Sequence, residues 1–252
     1  MWQKTKEKLA KEILLSLYQS GMIKTWYRDN PKGWILTSGI WSPFYIQLRP
    51  LCCYPAILES VGHALGKLIK NEIGDGTKCV GIAMTGIPIA IAISILEDIP
   101  SGFTRKIECV KNVQEFKQCL NKYGEHEMVE GNFENGDKIV LIDDLVTKFD
   151  SKFVAIEEVK FEMARRGIKK VSINDVVVLL DREQGAEKIA SENGIKLHSL
   201  IPFKTKGLRW LSDIMSDEEI QIITEYLECP ENLQNKERQY ELSKITKNIS
   251  KC

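Results

Sequence analysis

The chain has 252 residues and a mass of 28.7 kDa. Since 43% of the residues are hydrophobic, it can bury a core without disulfides or metals, and general disorder is excluded. Its 35 lysines and arginines balance 35 aspartates and glutamates, so no overall field would gather nucleic acid or an acidic membrane surface. We expect neither nucleic acid nor a membrane as partner, and any anion site must be local.

The longest apolar stretch, residues 87–96, is well short of the roughly 20 residues that a membrane span requires, and residues 1–11 are too charged for a signal peptide. The seven cysteines are odd in number and show no C-x-x-C spacing, which argues against a disulfide framework or a zinc site. We therefore expect reduced thiols and a cytoplasmic protein.

Apolar residues recur at helical spacing between residues 9 and 17, which predicts an amphipathic first helix. Two extended segments follow, 34–36 and 44–48, and they flank a turn rich in serine, glycine and proline. This arrangement predicts a β-hairpin outside the main sheet.

From residue 55 onward, helical patterns alternate with short apolar runs, which is typical of βαβ units. The expected helices are 56–71, 87–96, 151–166 and 184–193. The expected strands are 79–83, 102–106, 138–143, 172–180 and 196–201. The fold class is therefore α/β, with a central parallel sheet flanked by helices.

Between residues 107 and 135 no apolar period is visible, and a loop of this length in a compact domain is usually functional or mobile. Further on, Ser216 and Glu219 have the spacing of a capping box and predict a last helix that continues to Leu227. The polar residues 229–252 are expected to form a tail or an appended helix.

Two adjacent carboxylates, Asp143 and Asp144, follow the most apolar of the predicted strands. In an open α/β sheet, ligands bind outside the carboxyl ends of the strands. Such a pair can accept hydrogen bonds from ribose hydroxyls, while the N–H groups of the next helix can hold a phosphate. Alternatively, both are turn residues, and Asp150 or Ser151 simply caps the helix.

Four segments of the chain resemble the orotate phosphoribosyltransferase family, a branch of the type I phosphoribosyltransferases. They are residues 36–39 with 42–45 and 48–49, residues 86–90, residues 139–147, and residues 178–185. The most specific is the run Leu-Leu-Asp-Arg-Glu-Gln-Gly that ends at Gly185. The resemblance extends from about Trp34 to Phe203.

The family joins orotate to phosphoribosyl pyrophosphate (PRPP) with Mg to form orotidine monophosphate in pyrimidine synthesis. The resemblance thus implies a glycosyltransferase with a type I phosphoribosyltransferase-like domain over residues 1–228, whose small hood comes from 1–50 and 196–228. It also implies a homodimer, for which the apolar stretch 51–54 offers a surface.

The resemblance implies roles for individual residues. Those implied to bind PRPP are Arg105, Lys106, Thr85, Gly86, Asp143, Asp144, Thr147, Lys148 and Ser151. Those implied to bind orotate are Arg182, Thr147, Phe44 and Tyr45. The implied catalytic residues are Lys122, Asp143 and Asp144, with Mg accompanying PRPP and no metal ligand assigned to the protein.

Two of these residues also have a purely structural interpretation. The planar fork of Arg182 suits a carboxylate, but the side chain could instead form a surface ion pair with Asp181 or Glu183. Phe44 could line a base pocket, or it could pack in the core of the predicted hairpin.

The chain departs from the family at three places that concern phosphate. The family's phosphate loop, close to Thr-Thr-Gly-Gly-Ser, here contains Phe149 and Asp150 in place of the two glycines. A like-charge pair at about 4 Å costs roughly 4 kcal/mol at an effective dielectric constant of about 20, so Asp150 opposes a phosphate. Thr37 replaces a lysine, and the family's catalytic lysine aligns with Asn121, next to Lys122.

Two functions from different classes therefore remain open. One is an orotate phosphoribosyltransferase with reduced activity. The alternative is a non-catalytic relative that binds a pyrimidine, a nucleotide or a protein partner. If the first is correct, lysines at positions 37 and 121 with glycines at 149 and 150 are predicted to raise pyrophosphate release.

Overall fold

The computed structural model describes residues 1–107, 110, 112–120 and 127–245. Within these ranges, the helices are α1 Trp2–Gln19, α2 Pro55–Glu72, α3 Gly86–Glu97, α4 Val113–Cys119, α5 Asp150–Arg165, α6 Ala186–Glu192, α7 Leu208–Leu211, α8 Asp217–Glu228 and α9 Lys236–Lys244. The strands are β1 Ile23–Thr25, β2 Trp34–Ile35, β3 Trp41–Ser42, β4 Phe44–Ile46, β5 Thr77–Gly81, β6 Ser101–Thr104, β7 Val129–Glu130, β8 Lys138–Val146, β9 Ser172–Asp181 and β10 Lys196–Pro202. None of these helices is long and apolar enough to cross a bilayer.

A six-stranded sheet forms the centre of the fold, in the order β10-β9-β8-β5-β6-β7. The first five strands in this order are mutually parallel, and β7 is antiparallel to β6. The α/β class and the parallel sheet predicted from the alternating pattern are thus confirmed. Because the strands are parallel, their carboxyl ends meet at one edge of the sheet.

Both faces of the sheet are covered, as the continuous apolar runs of its strands require. In β8, Val140 and Ile142 face the core that includes α1, α2 and α3. The alternate residues Ile139 and Leu141 face a second core that includes α4, α5 and α6. Since successive side chains of a strand point to opposite faces, one strand supplies both cores.

The predicted hairpin between 34–36 and 44–48 is wrong. Strand β2 pairs with β3, which lies inside the segment expected to be a turn, while β4 pairs with β1. Pro43 separates β3 from β4, and its carbonyl accepts a hydrogen bond from the Trp26 N–H (2.7 Å). The chain therefore forms two small antiparallel pairs, and β4 turns away from its expected partner.

The segment between residues 107 and 135 contains more regular structure than its sequence pattern suggests. Helix α4 begins after Asn112, whose side chain caps it, and strand β7 adds to the sheet edge. Phe116 is buried and meets Phe161 of α5 edge to face. Phe116 thus attaches α4 to α5.

The capping box at Ser216 and Glu219 is present, and α8 begins there as predicted. Beyond α8, the polar segment forms a short 3₁₀ turn and then α9. Leu233 and Leu242 are buried, and the Trp26 indole N–H donates to the Leu242 carbonyl (3.2 Å). The terminal segment up to residue 245 therefore packs against Trp26 and β3.

Candidate active site

Strand β8 continues three residues beyond its predicted end at Asp143. It stays paired with β9 up to the position where Val146 faces Asp181. The Arg182 N–H donates to the Val146 carbonyl (3.1 Å), so the two strand ends are joined directly. Asp143 and Asp144 therefore lie on the same sheet edge as Asp181 and Arg182, where a ligand site is expected.

Asp143 is engaged inside the protein through both of its carboxylate oxygens. Its Oδ1 accepts a hydrogen bond from the Asp144 N–H (2.9 Å), and its Oδ2 lies 2.7 Å from the Nζ of Lys152. Lys152 belongs to the first turn of α5, and its side chain is only 4% exposed. A buried ion pair thus ties the end of β8 to the start of α5.

The carboxyl group of Asp144 has a raised pKa. Burial raises the pKa of Asp144 to about 7, with a further contribution from the negative charge of Asp143, while the Lys152 ammonium partly opposes the shift. Burial also raises the pKa of Asp181 to about 6. Both shifts favour the neutral form of these carboxyl groups more than exposure to water would.

An aromatic contact with the core holds the segment Thr147–Ser151, for which the resemblance implies a glycine-rich loop, in place. Phe149 is 1% exposed and meets Phe153 edge to face, with ring centroids 4.9 Å apart. The φ of Phe149 is −101°, so this loop requires no left-handed residue at that position. Lys148, Asp150 and Ser151 are exposed on the outside of the same loop.

Two cavities lie beside this loop. The arginine cavity has a volume of about 770 Å³ and is lined by Thr37, Ser38, Thr147, Lys148 and Arg182, together with residues of α8 and the following turn. The loop cavity has a volume of about 440 Å³, and its polar lining is Thr104, Arg105, Lys106, Lys148, Asp150, Ser151 and Glu158. Lys148 lines both, so the loop forms the wall between them.

Arg182 is the most distinctive group of the arginine cavity. Its guanidinium lies 4.8 Å from the centre of the Phe44 ring and 6.0 Å from that of Tyr226. Its Nε and Nη2 are buried and have no hydrogen-bond partner among the residues that the structure describes. Burial lowers the pKa of Arg182, and the Tyr226 hydroxyl opposes the shift. Unpaired buried donors are costly unless a ligand satisfies them, so this side chain is prepared to bind an anion.

The alternative partners of Arg182 are occupied elsewhere. Asp181 accepts a hydrogen bond from the Glu183 N–H (2.7 Å), and the Glu183 carboxylate binds the backbone and hydroxyl of Thr205. Phe44 is buried in the core beneath the guanidinium, whereas Tyr45 is partly exposed and stacks on Trp34. The guanidinium of Arg182 thus packs over the Phe44 ring and does not form a surface ion pair with Asp181 or Glu183.

The remaining predicted site residues are placed as follows. Helix α3 begins at Gly86, where a Cβ would lie 2.2 Å from the Ile142 carbonyl oxygen, so only glycine allows this approach to β8. Thr85 is buried just before it. Arg105 and Lys106 are exposed after β6, and Arg105 pairs with Glu130 (2.6 Å). Lys122 lies outside the described residues, as does Asn121.

Glu158 also lies in this region, and the sequence did not predict it. Its buried carboxyl group is expected to make the stability of the protein depend on pH. It lies on α5, and burial raises its pKa to about 8, while a hydrogen bond with Thr104 opposes the shift. Because the folded pKa exceeds the unfolded value of about 4.3, the group favours folding at low pH, and this stabilisation is lost as the pH rises through 8. We expect Glu158→Gln to raise the free energy of unfolding on the order of 2 kcal/mol at pH 8.5 and hardly at pH 5.

Urea denaturation at the two pH values tests this expectation. The matched control is Glu157→Gln, which removes the adjacent and more exposed carboxylate that pairs with Lys160. An equal change at both pH values for Glu158→Gln would contradict the buried, raised-pKa carboxyl.

Solved structures that share this fold identify its class. The UMP synthase of Leishmania donovani has a TM-score of 0.68 and 24% identity, and the match covers 87% of this chain and 42% of that one. The orotate phosphoribosyltransferase of Aeropyrum pernix has a TM-score of 0.59 and 20% identity, covering 80% of this chain and 97% of that one. The fold is that of the type I phosphoribosyltransferases.

Sequence relatives narrow the class to a family. The orotate phosphoribosyltransferase of Saccharolobus solfataricus is 32% identical over 198 residues, which are 77% of this chain and 89% of that protein. The uridine 5′-monophosphate synthase of Bos taurus is 32% identical over 174 residues, 69% of this chain, but the chain spans only 32% of that protein. The chain belongs to the orotate phosphoribosyltransferase family. No protein-family model matches the sequence.

Proposed function

We propose that this protein transfers the phosphoribosyl group of PRPP to orotate, giving orotidine monophosphate and pyrophosphate in pyrimidine synthesis. A ring nitrogen of orotate forms a bond to the anomeric carbon and loses its proton, while the bond from that carbon to the pyrophosphate oxygen breaks. The observation that carries this proposal is Arg182, whose unpaired buried donors face a cavity large enough for a planar carboxylate. A guanidinium fork pairs a carboxylate bidentately.

The proposed PRPP site extends along the edge of the sheet from the arginine cavity. Asp144 would meet the ribose hydroxyls, and the loop Thr147–Ser151 would hold the 5′-phosphate at the start of α5. Backbone donors at Thr85 and Gly86, with Arg105 and Lys106, would face the pyrophosphate. Thr147 and Tyr45 would complete the orotate side. Each role is a proposal from the family's pattern, supported by the position of these residues around β8.

Mg²⁺ is proposed as part of the substrate, bound to PRPP. Among the described residues, no group of three or more histidine, cysteine, aspartate or glutamate side chains is placed to hold a metal. An ion that arrives on the pyrophosphate keeps several waters, as Mg²⁺ commonly does.

Calorimetric titration with PRPP–Mg, orotate and orotidine monophosphate, combined with an assay of orotate-dependent pyrophosphate release, tests the proposal. We expect all three ligands to bind and pyrophosphate to be released. Binding of orotidine monophosphate without turnover would favour the non-catalytic alternative, which the missing lysine at Thr37 and the exposed Asp150 support. No binding of any of the three would refute the proposed function.

We also propose a homodimer, and the exposed face of α3 supports it. Ile91 and Ile95 lie one helical turn apart and are 45% and 77% exposed, and Met84 before the helix is 64% exposed. Of the stretch 51–54 that the sequence offers for this role, Leu51 is buried, whereas Cys52, Cys53 and Tyr54 are exposed. Exposed apolar side chains that cluster in this way mark contact surfaces.

Light scattering is expected to give a mass of twice 28.7 kDa at micromolar concentration. Ile95→Glu places a charge in the proposed interface and should yield the monomer, whereas Tyr240→Glu, on the exposed side of α9, should leave the dimer intact. A monomeric mass for the unaltered protein would rule out the dimer.

A cytoplasmic location and the division into a domain over 1–228 with a terminal segment over 229–252 are likewise proposals. The described cysteines are free thiols, and Cys52 and Cys53 are exposed, which suits a reducing compartment.

A further inference from the structure

Lys152 is a cation in a position where a cation needs a specific partner. It stands in the first turn of α5, where the helix dipole and the free N–H groups disfavour positive charge. Its side chain is nevertheless turned inward and almost fully buried. A buried ammonium persists only if it is paired and hydrogen-bonded.

The partners of this ammonium lie on both sides of the loop, in β8 and at the start of α5. Its Nζ donates to Asp143 Oδ2 (2.7 Å), to the Leu145 carbonyl (2.7 Å) and, at greater length, to Ser151 Oγ (3.4 Å). The three contacts account for the three protons of the ammonium group. Lys152 therefore connects the last residues of β8 with the start of α5 from within.

The ion pair gives the two adjacent aspartates different environments. Asp143 has one oxygen on Lys152 and the other on the Asp144 N–H, so its carboxylate is satisfied inside the protein. The charged groups that act on the Asp144 carboxyl are Asp143 of its own strand and Lys152 of α5. Lys152 also acts on Asp181 at the end of β9, where Glu183 and Glu187 add negative charge.

We propose that Lys152 is a positioning residue of this site: it fixes Asp143 as an internal anchor and leaves Asp144 as the carboxyl group that meets the sugar of a phosphoribosyl ligand. The inference rests on the proposed function only for the identity of that ligand. Neither composition nor loop pattern assigns Lys152 a role, because the contact forms only when β8 and α5 are packed together. The arrangement also supplies a positive charge next to the loop that carries Asp150.

The first test needs no ligand. The carboxyl ¹³C signals of the aspartates are followed from pH 4 to pH 9 in the unaltered protein and in Lys152→Met. Losing a cation at ion-pair distance is expected to raise the highest titration midpoint of the Asp143–Asp144 pair by about one pH unit or more. Lys152→Arg should restore the original midpoint. Lys152→Gln, which keeps an N–H donor without the charge, replaces the Met variant if that variant does not fold.

Two controls separate charge from structure. Phe149→Leu loosens the same loop without altering charge, and Lys160→Met removes an exposed ammonium from the same helix. Both are expected to leave the midpoint within about 0.3 pH unit. A midpoint that does not move in a folded Lys152 variant, or that moves as far in Phe149→Leu, would overturn the proposal.

The second test is a cycle of PRPP–Mg affinities measured by calorimetry. Asp144→Asn should weaken binding by about tenfold or more, with or without Lys152→Gln. Asp143→Asn should weaken binding only in the presence of Lys152, because its effect passes through that residue. Equal losses from Asp143→Asn in both backgrounds would show that Asp143 touches the ligand and would refute the proposal. If the unaltered protein binds no PRPP, the proposed function fails, and the ligand-free titration alone decides the role of Lys152.

Discussion

Arg182→Ala is expected to abolish most of the affinity for orotate. A bidentate charged contact in a closed site is worth about 2 to 5 kcal/mol, which corresponds to a loss of roughly 30-fold to several thousand-fold. The loss should be large because the guanidinium is already buried over Phe44, and its Nε and Nη2 have no partner in the described part of the chain that a ligand would have to displace. Calorimetric titration with orotate measures the effect.

Arg182→Lys serves as the matched variant, since it keeps the charge but loses the planar fork. We expect its affinity to fall between those of Arg182→Ala and the unaltered protein. Arg209→Ala, which removes an exposed arginine, should have no effect. If orotate binds Arg182→Ala as tightly as the unaltered protein, the carboxylate is held elsewhere.

Restoring positive charge at the phosphate end is expected to produce the second large effect. Thr37 is exposed and lines the arginine cavity, so a lysine can be accommodated there, and Asp150 is exposed on the loop proposed to hold the 5′-phosphate. Hydrogen bonds to charged groups contribute about 1.5 to 3 kcal/mol. We therefore expect Thr37→Lys with Asp150→Gly to raise orotate-dependent pyrophosphate release by about 10- to 100-fold or more.

Phe149 should be left unchanged in this variant. Phe149 belongs to the core, so Phe149→Gly would lower the free energy of unfolding by about 3 to 5 kcal/mol and obscure any gain. Thr37→Gln with Asp150→Gly controls for the added length without the charge. Rates equal to those of Thr37→Lys in this control would show that charge at position 37 is irrelevant.

The central sheet could be predicted because its strands are buried on both faces and therefore appear as continuous apolar runs. The small strands could not, because β2 and β3 have two residues each, which is too short for any period to show. The packing of the terminal segment could not be predicted either, since Leu233 and Leu242 are isolated among polar residues.

At the site, residues that directly follow a strand were accessible to sequence reasoning, and Arg182 is the clearest example. Residues that reach the site from another element were not. Tyr226 approaches Arg182 from α8, and Lys152 reaches Asp143 from α5. A lysine in the first turn of a helix was the one available signal, because it opposes the helix dipole and so indicates a specific partner.

The core contact of Phe149 has a consequence for the entropy of binding. A glycine-rich loop samples many conformations and must be ordered when a phosphate arrives, at about 1 to 2 kcal/mol for each residue fixed. Here Phe149 and Lys152 already hold the loop from inside, so little ordering remains to be done on binding. The same rigidity removes the loop's freedom to adapt. The site would therefore discriminate sharply by shape, accepting a phosphate only where the preformed loop already presents its N–H groups.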